Sequence, residues 1–517
     1  MSRINTNIQS LIAQRVLGQN SQRLNQSLER LSTGYKINRG KDDPAGLIAS
    51  ENLRSELKST NAAIANADRA DQVVNIAEGG LQEVSGLLTD LQGLVTNSAS
   101  SAGLSASEKA ANQLQIDSIL QTIDRISSAT SFQGTKLLNG NFDYKASSVA
   151  SGLADYRING AKFNGASQKV NVLVTQSAQQ AGMYLSMGGT GLDLAAANSS
   201  FTIEVAGALG SRELTFTSGT TMTSIAAAIN TFTDITGVQA SVVASGTSNG
   251  VKLSSKDFGS GQFVSVKVAN DGGLSTTNLG LYNWNSANFS TLNTTRVTDY
   301  STTTAANGVR DSGQDVGATI NGLTATAVGK TAKINTDFLD VQVTLDTSTA
   351  QALGAVGGSA GALTITGGGA DFQLAGQVDI AGKVSIGVGD VAIRKMGKVE
   401  TSTAGSFNFL SDLSSGKTLN VVNGDLTQAQ KVVAGAIEQV SGLRGRLGAF
   451  QKNTIGSTIR SLNIAAENTA AAESVIRDAD FAAETAGLTR AQILVSASTN
   501  VLALANQSPQ SSLQLLG

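Results

Sequence analysis

Apolar residues recur at alternating spacings of three and four near both ends of this 517-residue chain, and this periodicity constrains its fold most. So narrow an apolar stripe is typical of a helix that pairs with another helix in a coiled coil. In the N-terminal stripe we expect a shift of phase between residues 12 and 17. The positions that we expect to form the seams between helices are Ile4, Ile8, Leu11, Leu24, Leu28, Leu31, Leu488, Val495 and Leu502.

An unusually long helix is expected after a polar linker that ends at Asp43. Asp43 suits the N-cap position, and Pro44 suits the first helical position, where a missing N–H costs nothing. Apolar positions then keep the three-and-four spacing to about residue 97, which corresponds to a helix about 80 Å long. We expect Asp43 and Pro44 to act as a helix restart or hinge, and a second helix to fold back antiparallel to the first.

The C-terminal end mirrors this arrangement. A stripe from Ile455 to Ile476 predicts one helix, a break is expected near 478–480, and the next helix is expected to end at Pro509. The segment after Glu484 carries one charged side chain, Arg490, so it must bury itself against a partner helix or other subunits.

The middle of the chain alternates Thr, Val and Ile with Gly and Ser, which predicts short strands joined by tight turns. We therefore predict an α + β fold. Its long antiparallel α-helical coiled-coil bundle is formed by paired N- and C-terminal segments, with inserted β-rich outer domains. The expected domains are a terminal coiled-coil core (1–42 with 478–517), a helical bundle with β-hairpins (43–180 with 370–477), and a solvent-exposed β-rich insertion of one or two subdomains (181–369).

Composition excludes several kinds of chemistry. The chain has no His and no Cys, so it has no Ser-His-Asp triad, no His- or Cys-bound zinc and no disulfide. We expect no cofactor, no metal and no enzymatic activity. A Gly387-Val-Gly-Asp-Val-Ala392 segment fits a loose dinucleotide pattern, but we expect a strand rather than a helix to follow it at Val391–Ile393.

Charge gives little reason to expect nucleic acid, because 37 basic residues nearly balance 39 acidic ones. The first forty residues hold six basic side chains against one acidic, an arm that nucleic acid or a membrane could attract. These charges are spread out, which favours the outer face of a coiled coil. Residues 1–14 hold no long apolar run, and no window approaches 18 apolar residues. We therefore expect no cleaved signal and no membrane span.

At both ends the chain resembles the bacterial flagellins. The similar segments are LERLSTGYKIN at 28–38, KDDPAG at 41–46, FQGTKLL at 132–138, LTRAQIL at 488–494 and VLALANQSPQ at 501–510, and residues 201–266 resemble the flagellin hook insertion module.

The resemblance implies an extracellular filament subunit for motility, exported unfolded by the flagellar type III apparatus. It further implies terminal arms that fold on assembly, partnership with itself, an export chaperone, and hook-junction and cap proteins. Ser and Thr of the outer domains would be candidate O-glycosylation sites.

One segment departs from the family pattern. Many flagellins carry Gln-Arg-Val-Arg-Glu-Leu-Ala-Val, which an animal Toll-like receptor recognises, and residues 89–96 here read TDLQGLVT. Of the main contacts only Leu94 survives, and Asp90 replaces the contacting arginine. Reversing a charge at a hydrogen-bonding position is costly, so we expect weak or absent receptor activation.

Three alternatives stay open at this point. The nearest is a hook–filament junction protein of the same superfamily, present in few copies. The second is a surface adhesin or phage fibre, whose two ends need not pair. The third is an enzyme within the β insertion, which without His or Cys would need a carboxylate pair.

Overall fold

The computed structural model describes residues 6–100, 103–163, 165–188, 191–194, 199–245, 248–274, 279–284, 292–300, 302–401 and 406–514. The described chain forms two compact units. The helical unit comprises Met1–Asn75, Phe372–Val384 and Gly445–Gly517, and the mixed unit comprises Ile76–Asp371 and Ser385–Arg444. The three-domain division expected from the sequence stays a prediction.

Helices occupy both ends of the chain, as the periodicity predicts. Among the described residues the α-helices are α1 (Ile8–Thr33), α2 (Pro44–Ser98), α3 (Ala106–Ala129), α4 (Met222–Thr231), α5 (Thr233–Thr236), α6 (Thr347–Gln351), α7 (Leu426–Ala449), α8 (Gly456–Arg477) and α9 (Phe481–Gln514).

The long helix is confirmed: α2 runs without interruption for 55 residues. Its predicted stripe is buried throughout from Val74 to Val95 at the three-and-four spacing. A Ser105–Glu108 capping box starts α3, in which Ile116, Leu120 and Ile123 are buried.

Between α7 and α8 the chain forms a π-helix, Phe450–Ile455. The Gln451 amide within it donates to Asp71 Oδ1 and to Asn75 Oδ1, each at 2.8 Å. The stripe expected from Ile455 to Ile476 begins at the buried Ile455 of the π-helix and continues half-buried along α8.

Two local expectations were wrong. Helix α9 continues past Pro509 to Gln514, although proline cannot donate a helical hydrogen bond. Val391–Ile393 form a bend and a turn instead of a strand, because Asp390 Oδ1 accepts a hydrogen bond from the Ala392 N–H at 2.9 Å and folds the chain locally.

The β-rich middle of the mixed unit holds antiparallel sheets with two separate apolar cores. One core draws its buried residues from 181–305, and α4 packs into it through Met222, Ile225 and Ile229. The other draws its buried residues from 144–178 and from 316–365.

The strands of the first core form two sheets. In spatial order the five-stranded sheet contains Val238–Ser245, Ser248–Ser255, Gly182–Ser186, Gly280–Trp284 and Leu292–Thr298, and the four-stranded sheet contains Val309–Ser312, Phe263–Asn270, Ser200–Gly207 and Ser211–Thr217.

The strands of the second core form three sheets. In spatial order these are Leu323–Thr324, Gly317–Ile320, Val172–Gln176 and Gly354–Val356; Thr326–Val328, Thr331–Asn335, Leu339–Leu345 and Leu153–Ala161; and Lys145–Ser147, Leu363–Gly367 and Gln168–Val170.

Three two-stranded hairpins complete the described strands. They are Ser131–Phe132 with Thr135–Lys136, Ala370–Gln373 with Lys383–Ile386, and Val399–Glu400 with Phe407–Asn408. In the first, Gln133 and Gly134 both have positive φ, at 47° and 82°. Two such residues in succession make the tight turn whose twist matches an antiparallel hairpin.

Candidate assembly interface

Helices α1 and α9 lie antiparallel within the helical unit. The Asn7 amide donates to Ala505 O at 2.7 Å, near the start of α1 and towards the end of α9. At the other end Arg30 Nη1 lies 3.8 Å from Glu484 Oε2. The two ends of the chain therefore pair, which a fibre with independent stalks would not require.

Local chemistry fixes where each helix begins. The Asn7 side chain caps α1 by accepting a hydrogen bond from the Ser10 N–H at 3.0 Å. Asp480 Oδ1 does the same for α9, accepting from the Ala482 N–H at 2.9 Å and the Ala483 N–H at 3.2 Å. Gly34, with φ 77°, ends α1 in the left-handed conformation that glycine adopts most easily.

The seam between α1 and α9 has an uninterrupted three-and-four spacing on both helices. Every position in it is buried or half-buried, and several hold small or polar residues. On α1 the seam consists of Ser10, Ala13, Leu17, Asn20, Leu24, Ser27 and Leu31, and on α9 of Glu484, Leu488, Ala491, Val495, Ser498, Leu502 and Ala505.

The predicted positions divide between two faces. Leu24, Leu31, Leu488, Val495 and Leu502 lie in the α1–α9 seam, half-buried.

Three predicted α1 positions lie outside this seam. Ile8, Leu11 and Leu28 are 54%, 57% and 45% exposed, and Ile4 lies outside the described residues. The expected phase shift was wrong. Large apolar residues suggested two stripes, whereas small and polar residues, among them Ser10, continue a single seam. Extending the Leu24–Leu31 phase backwards in the sequence would have found Ser10, Ala13 and Asn20.

Outside the seam, α1 and α9 present further large apolar side chains that have no partner within the described part of the helical unit, and we call these positions the second apolar face. They are Ile8, Leu11, Ile12, Val16 and Leu28 on α1 and Ile493, Leu494, Val501 and Leu504 on α9. Exposed apolar area of this extent marks a surface that another molecule covers.

The linker after α1 pairs with the break before α9. The Lys36 N–H donates to Arg477 O at 2.7 Å, and the Ala479 N–H donates to Gly34 O at 2.9 Å. The Arg477 guanidinium lies 4.7 Å from the Tyr35 ring centroid. The end of α1 therefore lies beside the break between α8 and α9 within the helical unit.

The predicted helix restart has the expected local chemistry. Asp43 Oδ1 accepts a hydrogen bond from the Gly46 N–H at 3.0 Å, and α2 begins at Pro44. Next to it, the Arg39 N–H donates to Asp42 Oδ2 at 2.9 Å, and this bond lowers the pKa of the Asp42 carboxyl. A hinge motion at Asp43 and Pro44 stays a prediction.

The segment that departs from the receptor-recognised pattern lies on α2. Asp90 is exposed there, and Leu94 is half-buried. Its effect on receptor activation stays a prediction. Within the described residues no helix has the length and hydropathy needed to cross a membrane.

Comparisons with known proteins identify both ends of the chain. Family models match the bacterial flagellin N-terminal helical region at residues 4–143, the bacterial flagellin C-terminal helical region at 430–516 and the flagellin hook IN motif at 200–257. The chain belongs to the bacterial flagellins.

Two of the relatives match along almost the whole chain, and a third matches only part of it. Flagellin B of Vibrio cholerae is 27% identical over 99% of both chains, and flagellin D of Vibrio anguillarum is 25% identical over 99% of both. Flagellin E of Vibrio cholerae is 42% identical over 139 residues, which is 27% of this chain and 36% of that protein. A solved structure of FliC from Burkholderia pseudomallei matches 74% of this flagellin and 99% of that chain at 14% identity, with a TM-score of 0.22, too low to bear on the fold.

Proposed function

We propose that the α1–α9 pair of this flagellin, a structural subunit of the extracellular bacterial flagellar filament, joins each copy to its neighbours. Membership of the flagellin family supports the filament role. The observation that carries the assembly role is the second apolar face of α1 and α9, whose nine large side chains are exposed to solvent.

A neighbouring copy is the occupant that fits this face. Every copy presents the same apolar face next to the same seam, so contact between copies buries both faces together. A contact of this kind that does not close into a ring extends into a helical filament. Burial of large apolar side chains, worth about 1.5–3 kcal/mol each when complete, would drive this assembly.

The remaining expectations belong to the same proposal. The chain acts as a structural protein and not as an enzyme. Its further partners are an export chaperone, hook-junction proteins and the cap protein, and it leaves the cell unfolded through the type III apparatus. These partners are supported by family membership alone.

Seeded growth followed by electron microscopy tests the proposal. Purified monomer added to short filament seeds should extend them as uniform filaments, and a chain lacking residues 488–517 should not. The truncation removes most of the α9 side of the seam. If the full chain stays monomeric, or binds seed ends without extending them, the filament-subunit role fails and the junction-protein alternative takes its place.

A further inference from the structure

The apolar part of the α1–α9 seam does not by itself define one alignment of the two helices. Leu17, Leu24 and Leu31 recur every seven residues on α1, and Leu488, Val495 and Leu502 recur every seven on α9. Sliding one helix by seven residues brings leucine against leucine or valine again. A heptad repeat of this kind leaves the register open unless another group distinguishes the alternatives.

One polar pair inside the seam makes that distinction. Asn20 and Ser498 are 6% and 8% exposed, and Asn20 Nδ2 donates to Ser498 Oγ at 2.8 Å. The Ser498 hydroxyl in turn donates to Leu494 O at 2.6 Å. The pair is therefore a short buried chain of hydrogen bonds within one compact seam.

A slip by one heptad breaks this chain of bonds. Asn20 would then face Ala491 or Ala505, depending on direction, and neither methyl group accepts a hydrogen bond. A buried amide without its partner retains the full cost of leaving water, whereas the apolar contacts of the slipped pair are nearly unchanged. The cost of the slip thus falls mainly on the polar pair.

Other polar contacts agree with the same register but lie in wetter places. Ser10 Oγ donates to Asn506 Oδ1 at 2.7 Å, where Asn506 is exposed. The linker pairing next to Tyr35 also agrees, and Tyr35 is exposed as well. Water replaces exposed hydrogen bonds at little cost, so these contacts discriminate less than the buried pair.

We propose that Asn20 and Ser498 are the specificity-determining residues that hold α1 and α9 in a single register in the filament. This inference rests on the proposed function and deepens it. Residues outside the pair provide most of the affinity between the helices, and this pair selects their alignment.

Disulfide trapping in assembled full-length chain tests the register directly, because the native sequence has no Cys. A Cβ placed on Gly487 would lie 3.8 Å from Ser27 Oγ, so these two positions are neighbours across the seam, and Ser27→Cys with Gly487→Cys reports the native register. Ser27→Cys with Leu494→Cys reports a slip of seven residues. In the native register position 494 lies about 10 Å further along the helix and is out of reach.

Each reporter pair is then combined with Asn20→Leu, which removes the polar pair and leaves the Ser498 hydroxyl bonded to Leu494 O. Asn25→Leu, the same change at an exposed position of α1, is the matched control. Asn20→Leu should raise the slipped cross-link relative to the native one by at least about fivefold, and the control should leave the ratio unchanged. An unchanged ratio in Asn20→Leu filaments would show that the linker or the helix ends set the register, and would overturn the proposal.

The swapped pair, Asn20→Ser with Ser498→Asn, provides a second measurement if Asn20→Leu does not assemble. In the Ser27→Cys, Gly487→Cys reporter chain, Ser498→Ala should lower the native cross-link by withdrawing the acceptor from Asn20, and the swap should restore it towards the yield of the reporter chain alone. Equal yields for the reporter chain with and without Ser498→Ala would contradict the proposal. Filaments of the chain without any substitution, seen by electron microscopy, test the proposed function separately.

Discussion

Replacing Leu504 by Ser on the outer face of α9 should weaken polymerisation without disturbing the folded chain. Leu504 is 69% exposed, so the part of its side chain still available for burial is about two thirds of the whole. Complete burial of a leucine is worth about 1.5–3 kcal/mol, and two thirds of that value is about 1–2 kcal/mol for each subunit added. Since 1.4 kcal/mol is a factor of ten, the critical concentration should rise roughly 5- to 30-fold.

The matched control is Leu209→Ser. Leu209 is 67% exposed and lies between two strands of the first β core, away from the terminal helices in the sequence. Critical concentrations are measured by sedimenting seeded reactions over a range of total protein and determining the soluble fraction. If the two substitutions change the critical concentration equally, or neither changes it, the outer face of α9 is not a contact between copies and the reasoning fails.

Three further predictions concern the rest of the chain. Asp43→Ala should destabilise the start of α2 by about 1 kcal/mol, because the Gly46 N–H loses its cap; thermal unfolding measures this, with Asp43→Ser as the tolerated control. Leu88→Ala, at a fully buried position of α2, should cost about 2–5 kcal/mol in denaturant unfolding, whereas Leu94→Ala, which is half-buried, should cost less. Purified protein should give weak or no signal in Toll-like receptor reporter cells, and Asp90→Arg should raise that signal; strong signalling by the unaltered chain would refute the role given to Asp90.

Periodicity predicted α2 well because large apolar side chains occupy most of the buried positions of its stripe. The stripe from Val74 to Val95 on α2 is buried as expected. Asp43 and Pro44 marked the start of this helix because aspartate favours the N-cap position and proline favours the first helical position. Short strands with regular turns were also predictable, although the division of the β region into two cores was not, since alternation does not reveal which sheets face each other.

The seam of α1 was mispredicted because two apolar patterns overlap on one helix. Ile8, Leu11 and Leu28 are larger and more apolar than Ser10, Ala13 and Asn20, so a pattern search based on hydrophobicity selects the wrong face. In a monomeric protein the more apolar face is the buried one. The preference is reversed here, and this reversal indicates that the fold of one chain is not the final state.

The reversal on α1 also explains how one helix pair can have two roles. Small residues such as Ala13 and Ala491 let the two helices approach closely, and the buried pair Asn20–Ser498 gives that contact one alignment. Large residues are left for the outer face, where the gain from burial comes only when another copy covers them. A seam of leucines throughout would hold α1 and α9 together more strongly in the monomer, but it would remove the preference for one register. We therefore expect the distribution of residue sizes around α1 and α9 to couple folding of the terminal helices to addition of the subunit.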